Sequence, residues 1–147
     1  MSSPDAPLPG YSTHSSAWLV NEFDVDALEH LNNVAAMRLF EQARWQMITD
    51  RGHGLVAAKA LAQAPVIIAV TVHFRREVSL RQEIVIDSYT SRMSSRTQTI
   101  VQVMRDADHI VYVIAEYTVG LFDLARRKLI APTPAWLVAC GAPAATD

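Results

Sequence analysis

The hydrophobic period of this chain changes near Pro65, and that change limits the folds open to it. Ahead of it, VAAMRLFEQARWQMITDRG carries no internal Gly or Pro before Gly52. Val34, Met37, Phe40, Met47 and Ile48 fall near one helical face, with Ala43 and Arg44 between the two groups. Asn32 and Asn33 supply side-chain caps for the first-turn amides, and Gly52 supplies a stop. The spacing predicts a helix from Val34 to about Asp50, with a weaker one from Leu55 to Gln63. Behind Pro65, VIIAVTVHF, EIVIDSYTS, TQTIVQVMR and IVYVIAEYTVGLF are rich in β-branched and aromatic residues, and many positions alternate. Ile84, Ile86, Ser88 and Thr90 share one strand face, and Val85, Asp87 and Tyr89 the other. Trp18 to Val25 (WLVNEFDV) reads as an earlier short strand. The breaks at Arg75–Gln82, Ser94–Arg96 and Asp106–His109 are short, which favours antiparallel neighbours. An α+β unit follows, in which a curved antiparallel sheet wraps a long helix and buries both apolar surfaces.

Composition removes several functional classes. At 147 residues the chain is sized for one domain, and 50% hydrophobic with 19% charged residues argues against disorder. Lys plus Arg number 13 against 15 for Asp plus Glu, so no electrostatic footprint for nucleic acid or an anionic membrane exists. Cys140 stands alone, which excludes a disulfide scaffold, and five scattered histidines give no metal-ligand spacing. MSSPDAPLPGYSTHSS lacks a basic start and an apolar run, and Pro65 to Val72 is too short to span a bilayer, so a cytoplasmic chain is expected. Residues 1–15 are expected to be a flexible arm, 16–140 the folded domain, and 141–147 a fraying tail. The missing P-loop and Gly-rich turn disfavour a kinase and a dinucleotide oxidoreductase.

The segment EFDVDALEHLNNVAAMRLFEQAR carries Asp24 and Asp26, His30, Asn32 and Asn33, then Glu41, Ala43 and Arg44. This order and spacing resembles the signature of the 4-hydroxybenzoyl-CoA thioesterase-like family, whose members have the hotdog fold. VTVHFRREVSLRQEIVIDSYTSRM and IVYVIAEYTVGLFDLARRKLIAP resemble its later strands, so the likeness spans roughly residues 18 to 137. Two positions depart from it: Glu29 stands where Gly is usual, and Ala36 where an aromatic is frequent. If the first position needs positive φ, Glu29 carries a strain cost there.

Thioester hydrolysis needs an activated nucleophile and positive polarity where the oxyanion develops. A carboxylate can activate water or attack directly, and the unpaired amides of a helix N-terminus can hold the oxyanion. The resemblance implies Asp26 as the catalytic carboxylate and the Asn33 backbone N–H as the oxyanion donor, with His30 beside them as an organising or proton-transferring group. Asp24 is read as shaping the junction, and Glu29 as a charge near the substrate. Ala36, Met37, Phe40 and His73 are expected to line the substrate pocket, which favours a medium-to-long or aromatic acyl group. Glu41 is a backup catalyst, since other hotdog branches use a helix glutamate; pairing with Arg38 or Arg44 is its structural alternative. Arg96 aligns with the last of a cationic group that binds the phosphates of coenzyme A, with Ser94 and Ser95 in the other two positions and Arg92 a weaker candidate. No cofactor or metal is expected, the CoA moiety being part of the substrate. The resemblance implies an acyl-CoA thioesterase acting as a homodimer or homotetramer, with sites built from two chains. An acyl-carrier-protein thioesterase and a noncatalytic binder of thioesters or apolar ligands are the alternatives.

Overall fold

The computed structural model describes residues 3–146. Its elements run β1 (His14–Leu19), α1 (Asn33–Asp50), α2 (Leu55–Leu61), β2 (Gln63–Phe74), β3 (Glu83–Met93), β4 (Thr97–Arg105), β5 (Val111–Asp123), β6 (Lys128–Ile130) and α3 (Pro134–Ala139). The strands form one antiparallel sheet in the order β1-β3-β4-β5-β2, with β6 beside the end of β5. It wraps α1, the hotdog arrangement of an α+β chain. Ala36, Leu39, Phe40, Ala43 and Met47 of the helix pack on Ile84, Ile86, Ile100, Met104 and Tyr117. Burying a side chain such as Phe40 or Met47 contributes roughly 1.5–3 kcal/mol.

Several boundaries differ from the sequence reading. The first strand is His14–Leu19, not Trp18 to Val25, and it starts two residues inside the stretch read as an arm. After Leu19 the polar run around Asn21 turns the chain, because the Asn21 side chain accepts the Phe23 amide and Asp24 accepts that of Asn21. Upstream of the strand, Leu8 N–H donates to the Thr90 carbonyl and Ser12 N–H to that of Gly141. On the helix, Phe40, Ala43, Met47 and Ile48 are buried as the spacing predicts, but in the first turns the buried positions are Ala35, Ala36 and Leu39 while Val34 is 71% exposed. Alanine carries little hydrophobic signal, yet its small side chain lets the helix approach the sheet. Pro65 lies inside β2, which is permitted because β2 is an edge strand and needs no outward N–H donor there. Nor are β2 and β3 neighbours across the short break at Arg75–Gln82. That segment crosses the width of β5 and β4, three strand spacings or about 14 Å.

A polar node locks the helix to the sheet. Gln102 is fully buried on β4; its amide donates to the Phe40 carbonyl at 3.0 Å and to Ser88 Oγ at 2.9 Å. Its Oε1 accepts from Arg44 at 2.8 Å, and the Arg44 guanidinium lies 3.8 Å from the centre of the Tyr117 ring. At the other end of α1, buried His53 meets Trp136 of α3 edge-on at 5.3 Å, and its Nε2 has no hydrogen-bond partner. Burial holds the His53 pKa below its ordinary value.

Between β1 and α1 the chain makes a tight hairpin in which Val25 pairs with Leu31. Asp26 N–H donates to the His30 carbonyl, and Glu29 N–H to that of Asp26, both at 3.0 Å. Glu29 closes this turn at φ 61, a left-handed conformation that favours glycine.

Three outcomes are expected from these contacts. Gln102→Leu should lower stability by about 2–3 kcal/mol, measured by denaturant unfolding, because it strands the Arg44 guanidinium and the Ser88 hydroxyl. Glu29→Gly should raise stability by about 0.5–1 kcal/mol by releasing strain at positive φ, less the entropy that glycine adds to the unfolded chain. His53 is the base whose folded pKa is depressed, so the unfolded chain takes up its proton first. Stability should therefore fall as pH drops below the ordinary histidine value near 6.5, and His53→Leu should flatten that slope in thermal melts.

Candidate active site

Asp24 and Asp26 are two residues apart but sit in opposite environments. The Asp24 carboxylate is buried, accepts the Asn21 amide at 3.0 Å, and forms an ion pair with Arg38 of α1. Its backbone carbonyl accepts the Asn32 amide at 2.8 Å, so Asp24 ties the loop to the helix start. Asp26 is exposed; one carboxylate oxygen accepts the Leu28 amide at 2.9 Å in an Asx-turn.

The start of α1 follows directly. Asn32 caps it, taking the Val34 N–H on its side chain at 2.8 Å and the Ala36 N–H on its carbonyl at 2.9 Å. Asn33 is the first helical residue, so its amide belongs to the first turn that has no intrahelical acceptor. The partial positive charge of the helix N-terminus accumulates there.

A cavity of about 390 Å³ opens at this junction. It is lined by Asp26, His30 and Asn33, by Phe74, Arg75, Arg76 and Glu77 at and beyond the end of β2, and by the apolar Leu28, Leu31, Val78 and Val113. His30 Nε2 stands 3.4 Å from a Glu77 carboxylate oxygen, and the backbones of His30 and Ser79 pair. The amides of Arg75 and Arg76 both donate to the Tyr112 carbonyl, at 2.8 and 3.1 Å. The sequence reading passed over Arg75, Arg76 and Glu77 as a strand connection; charged residues immediately after an apolar strand were the signal available.

The cavity brings together Asp26, His30 and Asn33, and leaves the other named residues elsewhere. Glu29 is exposed on its turn, and Ala36 and Phe40 are fully buried in the core. Met37 is half-buried, its sulfur accepting from the Tyr117 hydroxyl at 3.7 Å, while His73 is exposed on β2. Burial raises the Tyr117 pKa, and Arg44 opposes the rise. Glu41 borders a second cavity, of about 130 Å³, with Arg44, Trp45, Pro65, Ile67 and Trp136. Arg38 is engaged by Asp24 and Arg44 by Gln102, so neither serves Glu41 as the expected helical ion-pair partner.

Ser94, Ser95 and Arg96 occupy the β3–β4 hairpin at the opposite end of the sheet. Thr97 pairs with Gly120 of β5, whereas Phe74 at the cavity pairs with Val113. Those seven β5 residues amount to about 23 Å within one chain. Arg96 donates to the Leu129 carbonyl at 2.9 Å, Ser94 Oγ meets Thr97 Oγ1 at 2.7 Å, and Arg92 lies 3.4 Å from Asp5 and 3.7 Å from Glu116. Among the described residues no group of three or more His, Cys, Asp or Glu side chains is placed to hold a metal ion. None of the described helices is long and apolar enough to cross a membrane.

Solved structures with this fold include a hypothetical protein, SAV2348, from Staphylococcus aureus in complex with CoA. It has a TM-score of 0.82 and 13% identity, over 92% of this chain and 89% of that one. YbaW, a probable thioesterase from Escherichia coli, gives 0.77 and 21% over 86% and 98%. Slr0204, a 1,4-dihydroxy-2-naphthoyl-CoA thioesterase from Synechocystis, gives 0.79 and 12% over 88% and 96%. At these identities the likeness establishes the fold. No curated protein matches the sequence. The thioesterase-like superfamily matches residues 20–140, which is most of the chain and all of the junction described above, and the chain belongs to that superfamily.

Proposed function

We propose that this protein hydrolyses an acyl-CoA thioester to the free carboxylic acid and CoA. The observation that carries this reading is the exposed Asp26 carboxylate sharing one cavity with the first-turn amide of α1 at Asn33. The thioester carbonyl oxygen points to the Asn33 N–H. Asp26 takes a proton from water as the oxygen of that water bonds to the carbonyl carbon, or adds directly to give an anhydride that water then opens. Charge on the tetrahedral oxygen is met by the amide dipoles of the helix start. Collapse breaks the C–S bond; in the first route the leaving sulfur takes up the proton held by Asp26, and in the second it leaves as thiolate and takes up a proton released when water opens the anhydride. His30 is a positioning residue: its carbonyl holds the Asp26 amide, and its ring faces Glu77. The CoA complex of the similar Staphylococcus aureus protein supports CoA as the leaving group.

The proposal includes a dimer built on β2. This edge strand is twelve residues long and exposes Ile67, Ile68, Val70 and Phe74, a row of unpaired backbone groups and apolar side chains that a second copy can cover. Two-fold antiparallel pairing of β2 sets the Pro65 end of one chain beside the Phe74 end of the other. Gly120 pairs with both Val66 and Thr97, so the hairpin of Ser94, Ser95 and Arg96 belongs to the Pro65 end. The groove of Glu41 also includes Pro65 and Ile67. A second copy thus brings toward Asp26 the hairpin proposed to bind phosphate, which is about 23 Å along the sheet from the cavity within one chain, together with the groove of Glu41.

Asp26→Asn should lower kcat on a panel of acyl-CoA and acyl-carrier-protein thioesters by about 100-fold or more, since general-base catalysis typically contributes that much. Asp24→Asn should act mainly on stability, and Glu41→Gln should cost less turnover than Asp26→Asn. Unchanged turnover in Asp26→Asn overturns the assignment, and a wild-type protein inert on the whole panel favours the binding-protein alternative. Light scattering should show a dimer or a larger even assembly. Val70→Lys should shift it toward monomer with loss of turnover, and a monomeric wild type at assay concentration rejects the two-chain site.

A further inference from the structure

We propose that the Asp26 cavity selects acyl groups ending in a carboxylate, read by Arg76; this rests on the hydrolase reading above and names its substrate class. The argument starts where β2 ends. Regular alternation would send Arg75 and Arg76 to opposite faces of the strand. Instead β2 ends at Phe74, and the amides of Arg75 and Arg76 both turn to the Tyr112 carbonyl, so the alternation of the strand does not continue through them. Both arginines accordingly border the same cavity as Asp26 and Asn33.

The charges around this cavity leave Arg76 available to a ligand. Asp24 is engaged by Arg38, and Glu22 by Arg81. Glu77 borders the cavity but is largely exposed and lies 3.4 Å from His30, and Asp26 accepts the Leu28 amide. Arg76 is exposed, and among the described residues no ion pair includes it. A guanidinium offers a carboxylate two parallel donors, a geometry that gives direction as well as charge.

Size places the anion on the acyl group. A cavity of about 390 Å³ is roughly 9 Å across if taken as round, within the range of small-ligand sites. A pantetheine arm, as long as about four extended residues, spans roughly 14 Å. With the thioester at Asn33, the phosphates of CoA therefore fall outside the cavity, while an acyl carboxylate a few bonds from the carbonyl stays inside it. Leu31, Val78 and Val113 give the intervening methylenes an apolar lining. Ala36 and Phe40, on which a long acyl chain was expected to rest, are instead fully buried in the core.

Two thioethers of CoA that cannot be hydrolysed, S-(4-carboxybutyl)-CoA and S-pentyl-CoA, separate the possibilities in calorimetry on the full chain. The carboxylated ligand should bind about tenfold or more tightly, as a charge-assisted bidentate contact supplies. Arg76→Gln should bring the ratio of the two affinities near one, Arg76→Lys should keep part of it, and melting curves should show both variants folded. Equal or tighter binding of the pentyl ligand overturns the proposal. So does an equal loss for both ligands in Arg76→Gln, which would place Arg76 on the phosphates. Turnover of glutaryl-CoA and pentanoyl-CoA is measured in parallel. If neither is hydrolysed while the thioether preference persists, the hydrolase reading fails and the carboxylate subsite stands.

Discussion

The geometry of the junction depends on where α1 lies against the sheet, and two polar clamps set that position. Arg44 is held by buried Gln102, which also bonds the helix backbone at Phe40 and the β3 hydroxyl of Ser88. Six residues earlier, Arg38 is held by buried Asp24 in the loop that precedes the helix. Apolar packing of Phe40, Ala43 and Met47 supplies the driving force for docking but tolerates sliding and rotation. The clamps do not tolerate them, because a helix displaced by one residue leaves Gln102 and Arg44 without partners in a buried layer. The first-turn amides are thereby fixed relative to Asp26.

Much of this was legible in the residues. Helix α1 announced itself through Asn32 as cap and an uninterrupted run, and β3 through the alternation of Ile84, Ile86, Ser88 and Thr90, all of which are buried. The pairing of strands was not legible, because short connections suggest neighbours while the order of the sheet depends on which apolar faces meet. Helix α3 went unread although Thr133 and Pro134 form a cap and first-turn pair; a six-residue helix shows too little periodicity to stand out. At the site, Asp26, His30 and Asn33 were named together through the family resemblance, and all three border one cavity. Arg75 and Arg76 depend on how the chain leaves β2, where both amides turn to the Tyr112 carbonyl, and spacing alone does not encode that. The role assigned to Ala36 assumed a helix face turned toward substrate, whereas that face is turned to the sheet.

Glu29 shows how a local conflict is carried by its surroundings. The hairpin demands a left-handed residue between Asp26 and His30, and the turn keeps that shape with a glutamate because its ends are paired at Val25–Leu31 and His30–Ser79. The loop that positions Asp26 is therefore defined by its neighbours more than by its own preferences.

The order of elements along the chain has a consequence for synthesis. Strands β3, β4 and β5 form a contiguous meander, while α1, whose apolar face they cover, precedes them. A ribosome extending the chain at 5–20 residues per second takes on the order of 4–15 s to travel from the end of α1 to the end of β5. During that interval Phe40, Met47 and Ile48 have no sheet to pack on. The nascent helix is then a natural client for chaperones that bind short apolar segments, and its burial waits on completion of the meander.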